Sequence, residues 1–131
     1  IRANSASNVQ IVSNKALRSG ETAIYSEFAF EGALIANNLV DGGTMGISVA
    51  NFASGGRLAV IAGNVIREAG LGVAVTVVEG AGKALISDNV FSNTPGGAIV
   101  GTRWNDAVTG DMAKTGASAW PHLTVERNAV G

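Results

Sequence analysis

An asparagine returns along this chain at a nearly constant spacing, each time between two apolar residues. The intervals are 24, 26, 25 and 39 residues, and they separate Asn14, Asn38, Asn64, Asn89 and Asn128. A repeat of about 20–50 residues is typical of a solenoid, in which each coil buries its apolar side only by stacking on its neighbours. The asparagine spacing therefore predicts a stack of coils.

Apolar residues flank each asparagine at fixed offsets. Three positions before it stand Ile11, Ile35, Ile61, Ile86 and Val125, and two positions after it stand Ala16, Val40, Ile66, Phe91 and Val130. A second apolar alternation follows in four repeats, written "AIYS", "GISV", "GVAV" and "AIVG". Each repeat thus holds about three short strand-like segments and no stretch long enough for an amphipathic helix. The pattern predicts an all-β parallel β-helix with coils about 4.8 Å apart.

The recurring asparagine itself is predicted to be structural. We expect it at the sharp corner between two strands, because asparagine tolerates the left-handed backbone that such a corner requires. Its side-chain amide can both donate and accept, so each asparagine can pair with its equivalent one coil away. Five stacked asparagines would then form a ladder.

A leucine-rich repeat has a similar period and a recurring asparagine. This chain has only seven leucines, and where that motif requires leucine, five residues before the asparagines, it has Val9, Ala33, Ala59, Ala84 and Leu123. The second half of each repeat also alternates as a strand and not as a helix. We therefore reject the leucine-rich repeat.

Composition excludes several classes of function. The chain is 47% hydrophobic and 15% charged, which is too apolar for disorder. Its net charge of −1 offers no basic face for nucleic acid. No apolar run approaches the roughly 18 residues of a membrane span, and the absence of cysteine excludes disulfides and thiolate metal sites. We expect no metal, no cofactor and one domain over residues 1–131, as a fragment of a longer chain.

The I-x-x-N-x-[VI] and G-[IV]-x-V patterns resemble the parallel β-helix repeat of the pectate-lyase-like superfamily. The segments "LIANNLVDGGTMGISV" and "VIAGNVIREAGLGVAV" are most similar to an uncharacterised bacterial repeat family exported by the twin-arginine pathway. The resemblance implies a right-handed, single-stranded parallel β-helix of about five coils of roughly 25 residues. It also implies a secreted or periplasmic location.

In enzymes of that superfamily, substrate lies along the outer face of one sheet. With Ile24, Ile47, Val73 and Ile99 turned inward, alternation turns Tyr25, Ser48, Ala74 and Val100 outward, followed by Glu27, Ala50, Thr76 and Thr102. The resemblance implies clustered carboxylates with a basic residue. Only Glu27 stands on this face, with Glu79, Arg103 and Asp106 in the loops that follow the strands. Glu27, Arg103 and Asp106 are the catalytic candidates, and we expect this segment not to be an enzyme by itself.

The longest interval, between Asn89 and Asn128, predicts an inserted loop over residues 103–121. Trp104 and Trp120 bracket this loop, and a tryptophan ring beside polar groups commonly holds a sugar. The sugar-binding candidates are Arg103, Trp104, Asn105, Asp106 and Trp120, with Tyr25 on the sheet face. The alternative is that both tryptophans pin the loop onto the coil. His122, the only histidine, is expected to be structural.

Three functions follow from these patterns. The preferred one is an exported segment that contacts polysaccharide or cell-surface material. The second is an enzyme of the polysaccharide lyase or epimerase type whose catalytic residues lie outside this segment. The third is a structural scaffold that associates with copies of itself through exposed coil ends.

Overall fold

A computed structural model describes residues 1–27, 32–50, 58–77, 82–104 and 106–131. It is all-β with almost no helix, and its parallel coils stack into a β-solenoid of about three turns. This confirms the predicted class of fold, while the right-handed winding, the five coils and the single-domain fragment stay predictions. In the described part of the chain, no helix is long and apolar enough to cross a membrane.

Sixteen strands and one short helix make up the described chain. They are β1 (Arg2–Asn4), β2 (Val9–Val12), β3 (Lys15–Leu17), β4 (Thr22–Glu27), β5 (Ala33–Ala36), β6 (Leu39–Asp41), β7 (Met45–Ala50), β8 (Leu58–Ala62), β9 (Val65–Arg67), β10 (Leu71–Thr76), β11 (Lys83–Ser87), β12 (Val90–Ser92), β13 (Ile99–Arg103), β14 (Asp106–Asp111), α1 (Met112–Thr115), β15 (Leu123–Glu126) and β16 (Ala129–Val130).

The strands form three sheets, each with one strand from successive coils. Sheet A has the order β1-β4-β7-β10-β13-β14, sheet B the order β15-β11-β8-β5-β2, and sheet C the order β16-β12-β9-β6-β3. All pairs are parallel except β13–β14, which is antiparallel. Because parallel strands cannot be joined by a tight hairpin, the chain runs once around the coil before it returns to each sheet.

The register of the sheets stacks equivalent residues on one another. In sheet B, one row consists of Ile11, Ile35, Ile61, Ile86 and Val125. In sheet C, the corresponding row consists of Ala16, Val40, Ile66, Phe91 and Val130. The central members of both rows are buried, with Ile35, Ile61 and Ile66 at 0% exposure. The fixed offsets in the sequence are therefore the inward rows of the solenoid core.

The asparagines form the predicted ladder. In each of four steps, the side-chain Nδ2 of one asparagine donates to the Oδ1 of the next, at 2.9–3.1 Å. The same Oδ1 accepts the backbone N–H of the preceding asparagine, at 2.9–3.1 Å. Asn38, Asn64 and Asn89 are buried, so the ladder satisfies polar groups that could not otherwise be held in the core.

The residue predicted to have the left-handed conformation at the corner is wrong by one position. The left-handed conformation belongs to the residue before each ladder asparagine, and φ is 53° to 66° at Ser13, Asn37, Gly63, Asp88 and Arg127. The ladder asparagines do not have positive φ. Placing the turn one residue earlier leaves the asparagine side chain free to point inward, where the ladder holds it. Four of the five corner residues are Ser, Asn, Gly or Asp, which are common in turns.

Sheet A has the predicted inward row. Ile24, Ile47, Val73 and Ile99 are all 0% exposed. On the face that alternation turns outward, five central side chains are nevertheless buried: Ser48, Ala74, Thr76, Val100 and Thr102. Tyr25, Glu27 and Ala50 keep partial exposure.

Candidate functional site

The predicted inserted loop contains regular structure. After β13 the chain turns back at Trp104 and forms β14, with Arg103 opposite Asp106 in the antiparallel register. The helix α1 follows, and its Met112 is 2% exposed. The predicted insertion between residues 103 and 121 thus contains the second strand of a β-hairpin and a helical turn.

Asp111 is the residue that fastens this hairpin. Its carboxylate accepts the backbone N–H groups of Ala98 at 3.0 Å and of Ile99 at 3.1 Å. It also accepts the N–H of Ala113 at 3.1 Å, as the N-cap of α1. A carboxylate at a helix N-cap satisfies donors that the helix itself leaves unpaired. One side chain therefore joins β13, β14 and α1.

The two tryptophans have different surroundings. Trp104 is 75% exposed at the turn of the hairpin, and its φ of 55° lies in the left-handed region. Trp120 is half-buried and packs against the hydrophobic core. Trp120 therefore pins the chain to the coil, as the alternative interpretation required, whereas Trp104 does not. Asn105 lies outside the described residues.

Tyr25 and Glu27 belong to a polar cluster on β4. The Arg2 guanidinium lies 3.4 Å from the Glu27 carboxylate and 5.2 Å from the centre of the Tyr25 ring. Asn4 donates its Nδ2 hydrogen to Glu27 at 3.4 Å. Burial raises the pKa of Tyr25, and the negative charge of Glu27 raises it further. These contacts join β1 to β4.

The three catalytic candidates do not meet in one site. Glu27 lies on β4, whereas Arg103 and Asp106 lie at the turn between β13 and β14. Three strand steps separate β4 from β13, which corresponds to about 14 Å at the usual strand spacing. This exceeds the separation of about 5–9.5 Å between the paired carboxylates of glycosidases. The arrangement does not bring Glu27 and Asp106 together on one sugar ring.

His122 lies at the entrance to β15. Burial lowers the pKa of its ring, and a hydrogen bond with the backbone of Thr76 partly offsets this effect. Its Nε2 atom is buried and has no hydrogen-bond partner among the described residues. A proton added to this atom would thus be poorly solvated, which explains why the neutral ring is favoured.

This environment predicts a dependence of stability on pH. The pKa of His122 is lower in the folded state than in the unfolded state. The stability that the neutral ring contributes to the fold is therefore fully present above the unfolded pKa of about 6.5, and it is lost as the pH falls toward the folded pKa. We expect the urea midpoint of the native chain to fall between pH 7 and pH 5. His122→Gln should show a smaller fall, and an equal fall in both proteins would contradict this assignment.

Sequence inspection did not identify the fastening roles of Asp111 and Thr109. The Thr109 hydroxyl accepts the backbone N–H of Gly101 at 2.8 Å. For Asp111 a signal was present, since an aspartate directly before "MAKT" is a typical helix N-cap. For Thr109 there was none, because its role depends on the pairing of β14 with β13.

No protein-family model, curated protein or solved structure matches this chain. Among the described residues, no group of three or more His, Cys, Asp or Glu side chains could hold a metal ion. The surface with the most distinctive chemistry is the hairpin turn formed by Arg103, Trp104 and Asp106.

Proposed function

We propose that this chain is a polysaccharide-contacting segment of an exported β-helix protein, and that the hairpin turn is its contact surface. The observation that carries the proposal is the 75% exposure of the Trp104 side chain. Large aromatic rings normally cover apolar surface in the folded protein, so one held in solvent is available to a partner.

The turn also limits how Trp104 can move. Arg103 and Asp106 are opposite each other in the last register pair of the hairpin, next to the turn that carries Trp104. Behind them, Asp111 and Thr109 fix β14 to β13 through backbone N–H groups. A ring on a supported turn loses less conformational freedom on binding than one on a mobile loop, which favours affinity.

The polar neighbours suit a sugar. Arg103 and Asp106 are both exposed, so the turn that carries Trp104 offers a donor and an acceptor to solvent. Sugar hydroxyls can pair with either group while the apolar face of the pyranose stacks on the indole. The carboxylate of an acidic sugar would form an ion pair with the Arg103 guanidinium.

The wider assignment to the pectate-lyase-like superfamily, with right-handed winding and about five coils, belongs to the same proposal. It is supported by the repeat pattern and by the parallel stacking of three sheets. Export to the periplasm or the medium follows from the resemblance to the twin-arginine-exported repeat family.

The test is a panel of neutral and acidic polysaccharides, with binding measured by calorimetry and any product measured separately. We expect Trp104→Ala to weaken binding roughly tenfold or more, because truncating an aromatic anchor commonly costs at least that much. Its thermal stability should be unchanged, since the ring is in solvent.

Val108→Ala is the matched control, because Val108 is an exposed apolar residue on the same hairpin. It should leave the affinity unchanged. Trp120→Phe should retain binding if only Trp104 contacts the sugar, and should lose binding if Trp120 takes part. Equal affinity in the native chain and in Trp104→Ala would refute the proposed contact surface.

A further inference from the structure

We propose that the end of the asparagine ladder at Asn14 is a docking surface for a strand–corner–strand segment that carries a ladder asparagine of its own. The Oδ1 atom of each other ladder asparagine accepts two hydrogens from the preceding one, from its backbone nitrogen and from its Nδ2. The Oδ1 of Asn14 accepts no hydrogen from any described residue. The ladder therefore ends on an acceptor that fits one specific pair of donors.

The backbone beside Asn14 suits the same partner. β2 and β3 are edge strands of sheets B and C, and an edge strand can pair with a further strand. In the second coil, Leu39 follows the ladder asparagine and donates its N–H to the Asn14 carbonyl at 2.9 Å. By the same register, the N–H of Lys15 faces the side of β3 away from β6. It is therefore placed to donate to the carbonyl of an incoming asparagine.

A second copy of this chain does not fit this end. In its last coil, β15 and β16 stack on β11 and β12, and the hairpin strand β14 lies at the same level of sheet A. Stacking β15 and β16 on β2 and β3 would bring β14 to the place that β1 already occupies. The partner is instead a segment with one strand for sheet B, a corner and one strand for sheet C. Its inward apolar residues would extend the rows that begin at Ile11 and Ala16.

The charges at this end specify the partner further. Opposite charges stacked on adjacent coils form ion pairs in this chain, and the Arg67 guanidinium lies 2.8 Å from the Asp41 carboxylate. Lys15 and Arg18 are exposed and form no ion pair with any described residue. A residue directly after the partner's asparagine would stack on Lys15 at about 4.8 Å. The partner that fits best therefore has the pattern I-x-x-N-[DE]-V, in which the acidic residue favours this register over others.

The first test titrates a synthetic peptide into the native chain and follows the amide resonances of Asn14 and Lys15 by NMR. The peptide repeats residues 33–46 with glutamate in place of Leu39. We expect it to bind and to slow hydrogen exchange at Lys15. A control peptide that also has leucine in place of Asn38 should bind about tenfold more weakly, because the hydrogen bonds to the ladder are lost. Equal affinity of the two peptides would overturn the proposal.

A tethered segment keeps the test decisive if the free peptide binds too weakly to measure. Ile1 takes the register position of Ile24 and Ile47. A copy of residues 33–46 fused directly before Ile1 therefore continues the register, and the tether raises its effective concentration. Hydrogen exchange at Lys15 should be about tenfold slower in this fusion than in one with leucine at the segment's ladder asparagine. Exchange at the native rate in both fusions would show that no such segment docks.

Discussion

Replacing Asn64 by leucine should lower the free energy of unfolding by about 4 kcal/mol. The Asn64 Oδ1 accepts from both the backbone N–H and the Nδ2 of Asn38, and its Nδ2 donates to the Ile35 carbonyl and the Asn89 Oδ1. Leucine has a similar volume but leaves these partners unpaired in the core, where each lost bond costs about 1–3 kcal/mol. Urea unfolding followed by circular dichroism measures the loss.

Asn14→Leu is the matched control for this prediction. Asn14 is only half-buried, and its Nδ2 donates to Val12 and Asn38. Water can replace these bonds, so we expect a loss of about 1 kcal/mol or less. If the two substitutions lowered the free energy of unfolding equally, burial of the central asparagines could not be the reason that the ladder stabilises the fold.

Phe91→Ala should cost about 3–5 kcal/mol, which is the usual range for deleting a buried phenylalanine. Phe91 is 1% exposed and is the largest fully buried side chain among the described residues. It extends the row formed by Val40 and Ile66 in sheet C. The ring lies against Gly72, where an added Cβ would be 2.6 Å from its Cδ1 atom. The surrounding backbone is thus fitted to the ring and cannot easily collapse into the cavity.

The same unfolding measurement on Phe91→Leu provides the comparison. Leucine fills most of the space and resembles the Val and Ile residues that stand at equivalent positions, so the loss should be clearly smaller. If Phe91→Ala cost less than about 1 kcal/mol, the site would have to relax fully, and the tight contact with Gly72 could not be correct.

The sequence was most informative about the core. Apolar residues stand at the same offsets in the other coils as Ile61 and Ile66 do from Asn64. The residues at each offset form one stacked row in the structure. This success has a simple cause. A coil contacts mainly its two neighbours, so an interior position must suit the same position one repeat away. Periodicity along the chain is then equivalent to contact in space.

The outer surfaces were harder to predict. Alternation correctly identified which side of sheet A faces inward, but it could not show that Ala74 and Val100 on the opposite side are also buried. Exposure depends on what packs around a residue, and alternation does not contain that information. The corner was misplaced for a related reason, since Asn37 and Asn38 are both suited to a turn and only the backbone distinguishes them.

The insertion could be located but not interpreted. The interval of 39 residues before Asn128 showed that extra chain was present. It did not show that Trp120 would be packed and Trp104 exposed. Those outcomes depend on the pairing of β14 with β13, which is not repeated among the other described strands. Features that occur once cannot be recognised from periodicity.

The ladder also has a consequence for chemical ageing. Deamidation of an asparagine requires the backbone nitrogen of the following residue to attack the side-chain carbonyl carbon. After Asn38, Asn64 and Asn89, these nitrogens belong to Leu39, Val65 and Val90, and each donates its hydrogen to the backbone carbonyl of the preceding ladder asparagine at 2.9 Å. Both reacting groups are thus held in hydrogen bonds that keep them apart. The fold therefore protects the ladder asparagines, whose side chains are the amides most prone to spontaneous hydrolysis, from attack by the backbone nitrogen that follows each of them.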